Sequence, residues 1–311
     1  SSSSPDKSNN DTNNHDDDAP SCDVVQGPSL LRTSSARPSP NLMILPGLRS
    51  LPFWTSPDHT RVAYGDPLVT KVVAHLESNA STIREEFTKV VPSASDSNSG
   101  SDSNSNQRVV TSDYESTGHS DNLHQGSWDW HSFLNKGSVR GQFAVDFPQT
   151  ARLLQDLRDD HILFEGTPFG FSFFSVLHGE SSIQAHTAPM NLRLRVHLPL
   201  IVPTVEKSTS TATTDDESGE DHNEIPCGIR VGPLVRPWVP DKALVLDDAY
   251  NHEVWNRTDQ KRVLLLVDIW HPDISLTEKQ EIVQMFQDAR QQGLWKRQIH
   301  TIQTKKQNEI K

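Results

Sequence analysis

The segment NLRLRVHLPLIVP, residues 191–203, predicts a β-strand because apolar and basic side chains alternate along it. One face carries five apolar residues: Leu192, Leu194, Val196, Leu198 and Leu200. The other face carries Arg193, Arg195 and His197. Three basic groups in a row are ordinary on a solvent-facing strand, and they also suit a site that binds an anion. The segment alone leaves both interpretations open.

Other short apolar or alternating runs lie on both sides of this segment. They read FGFSFFSVL, CGIRV, KALVLDD, HEVW and KRVLLLVDIW, and Pro, Gly, Asn and Asp separate them. Together with residues 191–203 they predict six or more strands, which is typical of a β-sandwich or a barrel.

Helical patterns flank these strands. Pro67 follows Asp66 and opens an apolar pattern that predicts a helix near 67–88, and a second helix is predicted to begin near Pro148. Ser275 and Glu278 have capping-box spacing, which predicts a C-terminal helix packed on the sheet.

The composition predicts one folded domain interrupted by polar segments, since only 33% of the residues are hydrophobic. Residues 1–40 are predicted to be a disordered leader, and the polar runs near 93–107 and 207–224 to be disordered surface insertions. The domain then covers 41–276, and 277–311 form a helix and tail.

Charge and residue usage exclude several classes of protein. A net charge of −12 argues against nucleic acid as a partner. Cys22 and Cys227 are the only cysteines, so neither a disulfide framework nor a cysteine zinc site can form. We expect no membrane contact within these residues, because no apolar run reaches about 18 residues. The sequence does not indicate an oligomeric state.

Three residues are unexpected in a β-rich core. Arg262 opens the apolar run VLLLV, and a buried guanidinium requires an anion. His186 and His252 lie at predicted strand edges, 66 residues apart. That spacing is too long for a local zinc motif, so only a fold that pairs their strands could join them at one metal.

A family resemblance accounts for these residues. The stretches PGLRSLPFW, GSWDWHSFLNKG, FFSVLHGESSIQAHTAPMNLRLRVHL and KALVLDDAYNHEVWNRTDQKRVLLLVDIWHP resemble aspartyl/asparaginyl β-hydroxylases, from about residue 43 to 276. The spacing matches as well, with Ser175 eleven residues before His186 and Arg262 ten after His252. The resemblance implies a double-stranded β-helix, a cupin-like jelly-roll barrel that is mainly β with flanking helices.

The resemblance also implies an Fe(II) site held by His186 and His252. Most related oxygenases place a carboxylate two residues after the first histidine, where this chain has Ala188. The vacant positions would take 2-oxoglutarate and O₂, and a water, substrate or halide remains open for the third ligand site. Asp247 and Asp248 are interpreted as turn residues or as residues that support the ligands.

The remaining family positions concern 2-oxoglutarate. Arg262 would pair with the distal carboxylate, helped by Ser175, and Arg195 and His197 would contact the metal-chelating end. Arg193 points the same way and is expected at the rim, either solvated or on a substrate carboxylate. The tryptophans in the matched region are expected in the core, and His178 and His271 are expected to have structural roles.

The implied reaction is hydroxylation of an unactivated carbon, with the β-carbon of Asp or Asn in a protein or peptide as the first expectation. A lipid-linked acyl chain, a small amino acid and a non-catalytic jelly-roll binding module are the alternatives. By analogy we expect the endoplasmic reticulum, through an N-terminal anchor upstream of Ser1, with the cytoplasm as the alternative. The sequons at Asn10, Asn79 and Asn256 would permit glycosylation there.

Overall fold

The computed structural model describes four ranges of the chain: 37–91, 110–117, 122–203 and 225–294. Nearly all of the predicted disordered leader, the two predicted insertions and the end of the predicted tail lie outside these ranges. Those expectations and the domain bounds therefore stay predictions.

Eleven β-strands occupy the described part of the chain. In chain order they are β1 Leu123–Gln125, β2 Trp128–Asn135, β3 Ser138–Val139, β4 Ser172–Leu177, β5 Ser181–His186, β6 Arg193–Ile201, β7 Cys227–Val231, β8 Leu234–Pro237, β9 Leu244–Leu246, β10 His252–Asn256 and β11 Arg262–Trp270. They form a five-stranded sheet in the order β1-β5-β10-β7-β8 and a six-stranded sheet in the order β3-β2-β4-β11-β6-β9.

The connectivity of β4 to β11 confirms the predicted barrel. The chain passes back and forth between the sheets, so that β4, β6, β9 and β11 belong to one and β5, β7, β8 and β10 to the other. The named strand pairs are all antiparallel. Two four-stranded sheets built in the orders β4-β11-β6-β9 and β5-β10-β7-β8 are the arrangement of a jelly roll. An apolar core with residues from both sheets lies between them.

Six α-helices accompany the sheets: α1 Pro67–Ser78, α2 Ala80–Val90, α3 Tyr114–Thr117, α4 Gly141–Asp146, α5 Pro148–Asp159 and α6 Leu276–Gln291. The single helix predicted near 67–88 is wrong, because Asn79 leaves helical geometry and separates α1 from α2. Its side-chain Nδ2 donates to the carbonyl of His75 at 2.8 Å, competing with the helical hydrogen bond there. The capping box at Ser275 is confirmed.

The alternation along β6 divides its residues between two environments, as predicted. Leu194, Val196, Leu198 and Leu200 belong to the core that the sheet forms with the helices on its outer face. Arg193 and His197 lie on the opposite, interior face and are each 4% exposed. The basic residues of β6 are therefore inside the barrel, where each needs a partner.

No helix in the described ranges combines the length and apolarity needed to cross a bilayer. The expected absence of membrane contact concerns the whole chain and stays a prediction.

Candidate functional site

Strand pairing brings the two histidines at the barrel opening together. His186 ends β5, His252 begins β10, and the two are direct antiparallel partners whose ring centroids lie 4.2 Å apart. The register shifts between His252 and Val254, so one extra residue on β5 forms a bulge beside the pair. Bulges of this kind turn a side chain toward a site at the rim of a barrel.

Each imidazole is held by the backbone carbonyl two residues before it in the chain. The Nδ1 of His186 lies 2.7 Å from the carbonyl of Gln184, and the Nδ1 of His252 lies 2.9 Å from the carbonyl of Tyr250. A carbonyl only accepts, so both Nδ1 atoms carry the proton and both Nε2 atoms keep a lone pair. This is the state in which a pair of histidines binds a metal ion.

Burial keeps both imidazoles neutral. It lowers the pKa of His252 to about 3, with the neighbouring His186 adding to the effect, and it also lowers the pKa of His186. Protons therefore do not compete with a metal for these nitrogens near neutral pH.

The histidines open into a small cleft of about 80 Å³. Its lining includes Trp128, Trp130, Phe171, Ala188 and Asp248. Ala188 occupies the position where a third, carboxylate ligand is expected in related oxygenases. Within the described ranges no group of three or more His, Cys, Asp or Glu residues is placed to hold a metal. A metal on two histidines keeps most of its coordination positions open for other ligands.

A buried network of two arginines and two aspartates lies behind the histidines. Arg193 contacts Asp248 at 2.6 Å and Asp268 at 2.8 Å, and Arg195 contacts Asp268 at 2.8 Å and Asp248 at 3.4 Å. The four charges cancel, which satisfies the requirement for pairing charges away from water. Burial alone would raise the pKa of Asp248, but the two arginines hold it well below its usual range.

The positions of Arg193 and Arg195 in this network bear on what was expected of each. Arg193 is buried and ion-paired, so its placement at a solvated rim is wrong. The side chain lies on the interior face of β6, where its Nη1 donates to the carbonyl of Phe169 and its guanidinium pairs with Asp248 and Asp268. Arg195 already binds Asp268 through Nε and Nη2. Its contact with 2-oxoglutarate stays a prediction.

Arg262 is buried, and no anionic side chain in the described ranges pairs with it. It is 2% exposed, and its Nε and Nη2 have no hydrogen-bond partner in those ranges. Burial lowers the pKa of this guanidinium to about 10, which still leaves it charged at neutral pH. A buried cation with two free donor nitrogens matches the carboxylate of a small ligand.

Other hydrogen-bond donors share the interior face of the six-stranded sheet with Arg262. Ser175 and His197 pair directly with Leu264 and Leu266, which lie two and four residues after Arg262 on β11. Ser175 Oγ accepts a 2.8 Å bond from the indole of Trp128, so its own hydroxyl proton remains available. His197 Nε2 is buried and has no partner in the part of the chain that the structure describes. These three residues form what we call the anion pocket.

Comparison with known proteins agrees with this geometry. The sequence profile described as aspartyl/asparaginyl β-hydroxylase matches residues 77–272. The chain belongs to this family. The resemblance seen in the sequence is thereby confirmed, with the two histidines and the anion pocket inside the matched range.

Individual relatives share parts of the chain. It is 26% identical over 236 residues to the mouse aspartyl/asparaginyl β-hydroxylase, covering 76% of this chain and 25% of that protein. It is 39% identical over 101 residues to an ornithine lipid ester-linked acyl 2-hydroxylase from Rhizobium tropici, covering 32% of this chain and 30% of that protein. A solved prolyl hydroxylase from Trichoplax adhaerens, with a bound peptide fragment, is 14% identical with a TM-score of 0.33, covering 69% of this chain and 96% of that one. The chain thus spans about a quarter of the mouse relative.

The expected structural residues occupy the core or its edges. All five tryptophans expected there are buried: Trp128, Trp130, Trp238, Trp255 and Trp270. His271 is buried and its Nε2 bonds to the carbonyl of Arg49 at 2.8 Å. His178 is half-exposed and pairs with Asp129 at 2.7 Å.

Asp247 does not line the cleft at the histidines and has a separate role. Its carboxylate accepts hydrogen bonds from Ser50 Oγ at 3.2 Å and from the backbone of Ala249 at 3.0 Å. Burial raises the pKa of Asp247 from 3.8 to about 7. Between these values the unfolded chain has released a proton that the folded chain keeps. Its contribution to stability is therefore complete below pH 3.8 and is lost as the pH rises through about 7.

Asp247→Asn removes this titration and keeps the shape of the side chain. We expect the difference in melting temperature, variant minus wild type, to be at least about 3 °C larger at pH 8 than at pH 5. Thermal unfolding at several pH values measures it. Asp160→Asn is the control, because the exposed Asp160 carboxylate is ionised in both states across that range. If the difference in melting temperature between Asp247→Asn and wild type does not change with pH, the prediction is contradicted.

Proposed function

We propose that this chain is an Fe(II)- and 2-oxoglutarate-dependent oxygenase that hydroxylates an unactivated carbon. The observation that carries the proposal is Arg262, a buried guanidinium whose Nε and Nη2 have no hydrogen-bond partner among the residues that the structure describes. A charge in that state destabilises the fold, and a ligand that pairs with it would offset that cost. A dicarboxylate that also reaches a metal on His186 and His252 is a ligand of that kind.

The residues fit these groups chemically. His186 and His252 would hold Fe(II) through their Nε2 atoms, and Arg262 with Ser175 would bind the distal carboxylate of 2-oxoglutarate. His197 would donate from Nε2 to the other end of the cosubstrate. When bound, the iron and its cosubstrate supply the oxidising power for C–H hydroxylation, with O₂ as the oxidant and succinate and CO₂ as coproducts.

The protein contributes orientation, charge and exclusion of water. Arg262 would fix the cosubstrate at one end, and its charge would act strongly there because the guanidinium is buried away from solvent. The aromatic side chains of Trp128, Trp130 and Phe171 line the cleft at the histidines and limit the entry of water. Arg193 and Arg195 keep the carboxylate of Asp248 ionised and fixed at the same cleft.

The first substrate candidate is the β-carbon of Asp or Asn in a protein or peptide. Its support is the similarity to the mouse aspartyl/asparaginyl β-hydroxylase over 76% of this chain. An acyl chain on a lipid is the second candidate, because the Rhizobium enzyme named for that reaction shows the higher identity, 39%, over a shorter stretch. A small amino acid and a module without catalysis are the remaining alternatives.

Anaerobic addition of Fe(II) and 2-oxoglutarate tests the proposed chemistry. We expect a weak visible absorption band from the chelate, and, after O₂ is admitted, succinate formation that increases with a suitable substrate. Peptides containing Asp or Asn and vesicles containing ornithine lipid serve as parallel substrates, with mass spectrometry to detect one added oxygen atom. A colourless protein that forms no succinate would instead indicate a binding module.

We further propose that the protein resides in the endoplasmic reticulum, held by an N-terminal anchor. The support is analogy to the family and the sequons at Asn10 and Asn79. Asn256 does not add to it, because this residue is 1% exposed and its Nδ2 bonds three backbone carbonyls, which excludes a glycan in the folded protein. Fluorescence microscopy of the tagged full-length protein, with an endoplasmic-reticulum marker, tests the location.

A further inference from the structure

Trp238 contacts two of the three residues of the anion pocket. It follows β8 and is 3% exposed within the core between the two sheets. Its Nε1 donates to Nδ1 of His197 at 3.3 Å, and the guanidinium carbon of Arg262 lies 4.8 Å from its ring centroid. Such simultaneous contact with both donors suggests a role beyond filling space.

The hydrogen bond to His197 fixes which nitrogen of that ring carries the proton. An indole N–H can only donate, so Nδ1 of His197 must accept and the proton must reside on Nε2. Burial and the positive charges of Arg195 and Arg262 lower the pKa of His197 well below its usual value, so the ring is neutral. Because Nε2 is buried with no partner among the described residues, the ring presents one free donor to a ligand.

The contact with Arg262 stabilises the cation without using its hydrogen-bond donors. The face of an aromatic ring attracts a guanidinium by its quadrupole, most strongly for tryptophan and away from water. A carboxylate in this position would instead occupy the donors. Trp238 therefore stabilises Arg262 when the pocket is empty and still leaves Nε and Nη2 for an incoming anion.

We propose that Trp238 is a positioning residue that prepares the anion pocket for 2-oxoglutarate by setting the tautomer of His197 and supporting the charge of Arg262. Its importance for cosubstrate binding rests on the proposed function. The tautomer of His197 does not, because it is a property of the protein without ligand. Titration of 2-oxoglutarate tests cosubstrate binding, and the tautomer of His197 without ligand tests this proposal by itself. Failure of the proposal can therefore be distinguished from failure of the proposed function.

Trp238→Phe is the decisive variant, since it keeps an aromatic ring but removes the N–H. Calorimetric titration of 2-oxoglutarate into the full chain loaded with Mn(II) should show binding weakened by about three- to tenfold, the change expected for one lost hydrogen bond and a weaker cation–π contact. Trp238→Leu, which removes the ring as well, should weaken binding further.

Trp255→Phe provides a matched control. Trp255 is also a buried tryptophan, its Nε1 donates to the carbonyl of Ile225 at 2.8 Å, and its ring carries a cation–π contact with Arg257 at 5.2 Å. The substitution thus removes the same kind of interactions at residues that are not part of the anion pocket. It should leave the affinity for 2-oxoglutarate unchanged.

Nitrogen NMR of histidine-labelled protein without ligand provides the second measurement, with the His197 signals assigned by comparison with a His197→Asn variant. We expect the proton on Nε2 in wild type and in Trp255→Phe, and a mixture of tautomers in Trp238→Phe. A proton on Nδ1 in wild type would overturn the proposal, whether or not any variant folds. Wild-type affinity for 2-oxoglutarate in Trp238→Phe would overturn it too, whereas no binding by wild type would refute the proposed function instead.

Discussion

Replacement of Arg262 by leucine is expected to weaken the binding of 2-oxoglutarate by about 2–4 kcal/mol, roughly 30- to 1,000-fold. The guanidinium is the one member of the anion pocket that carries charge, and across the described ranges its Nε and Nη2 have no hydrogen bond that the substitution would break. Leucine removes the buried charge together with its cost of desolvation. We therefore expect the variant to be at least as stable as wild type toward denaturant.

Two further variants test whether the loss of affinity is specific to the guanidinium of Arg262. Arg262→Lys should recover only part of the affinity, because an ammonium group cannot form the planar two-pronged contact. Arg236→Leu is the matched control: Arg236 is also buried, but it donates to the carbonyl of Thr55 and packs on the ring of Phe53. This control should lose stability and keep its affinity for 2-oxoglutarate.

The measurement is calorimetric titration with Mn(II) in place of iron, together with urea unfolding of each variant. Unchanged affinity in Arg262→Leu would contradict the proposed cosubstrate site. The interior face of β6 would then be the next place to examine, although Arg193 and Arg195 are already paired with Asp248 and Asp268.

The sequence predicted much of the local structure because its patterns are local. Alternation along residues 191–203 gave β6 and its two faces, and the spacing of Ser275 and Glu278 gave the start of α6. The barrel topology joins strands far apart in the chain, and no residue pattern specifies such pairing. It was accessible only through the family resemblance.

The break at Asn79 was missed for a different reason. Apolar residues continue at helical spacing on both sides of it, so periodicity alone favours one helix. The competing interaction is a side-chain hydrogen bond to the backbone at His75. Asparagine within a helical pattern is the one signal that could have indicated the break.

The sequence predicted some residues of the site and missed others. Arg262 stood out as a charge opening an apolar strand, and the same argument applied to Asp268 in VLLLVDIW would have identified it as a buried partner for basic residues. Trp238 carries no comparable signal, because a tryptophan near a proline-rich turn is ordinary core. Its contact with His197 depends on the packing of β6 against the segment after β8.

Alanine at either histidine of the barrel opening is expected to lower metal affinity by at least about 100-fold and to abolish turnover, because one imidazole cannot hold an open metal site. The effects on folding should differ from those on binding. His186 is only partly buried, so His186→Ala should leave stability nearly unchanged. His252→Ala removes a buried ring and its bond to Tyr250, so we expect a loss of about 1–2 kcal/mol with the barrel still folded.

His178→Ala is the matched control for both variants, since His178 is a half-exposed histidine whose Nε2 is already bound to Asp129. It should keep wild-type affinity for metal. Titration with Mn(II), followed by its paramagnetic signal, measures affinity, and succinate formation with Fe(II) measures turnover. Because the direct pairing of β5 and β10 places both rings at one point, the two substitutions should also be non-additive: once one imidazole is gone, removing the second should change metal affinity little. Two independent, additive losses would mean that His186 and His252 do not share one ion.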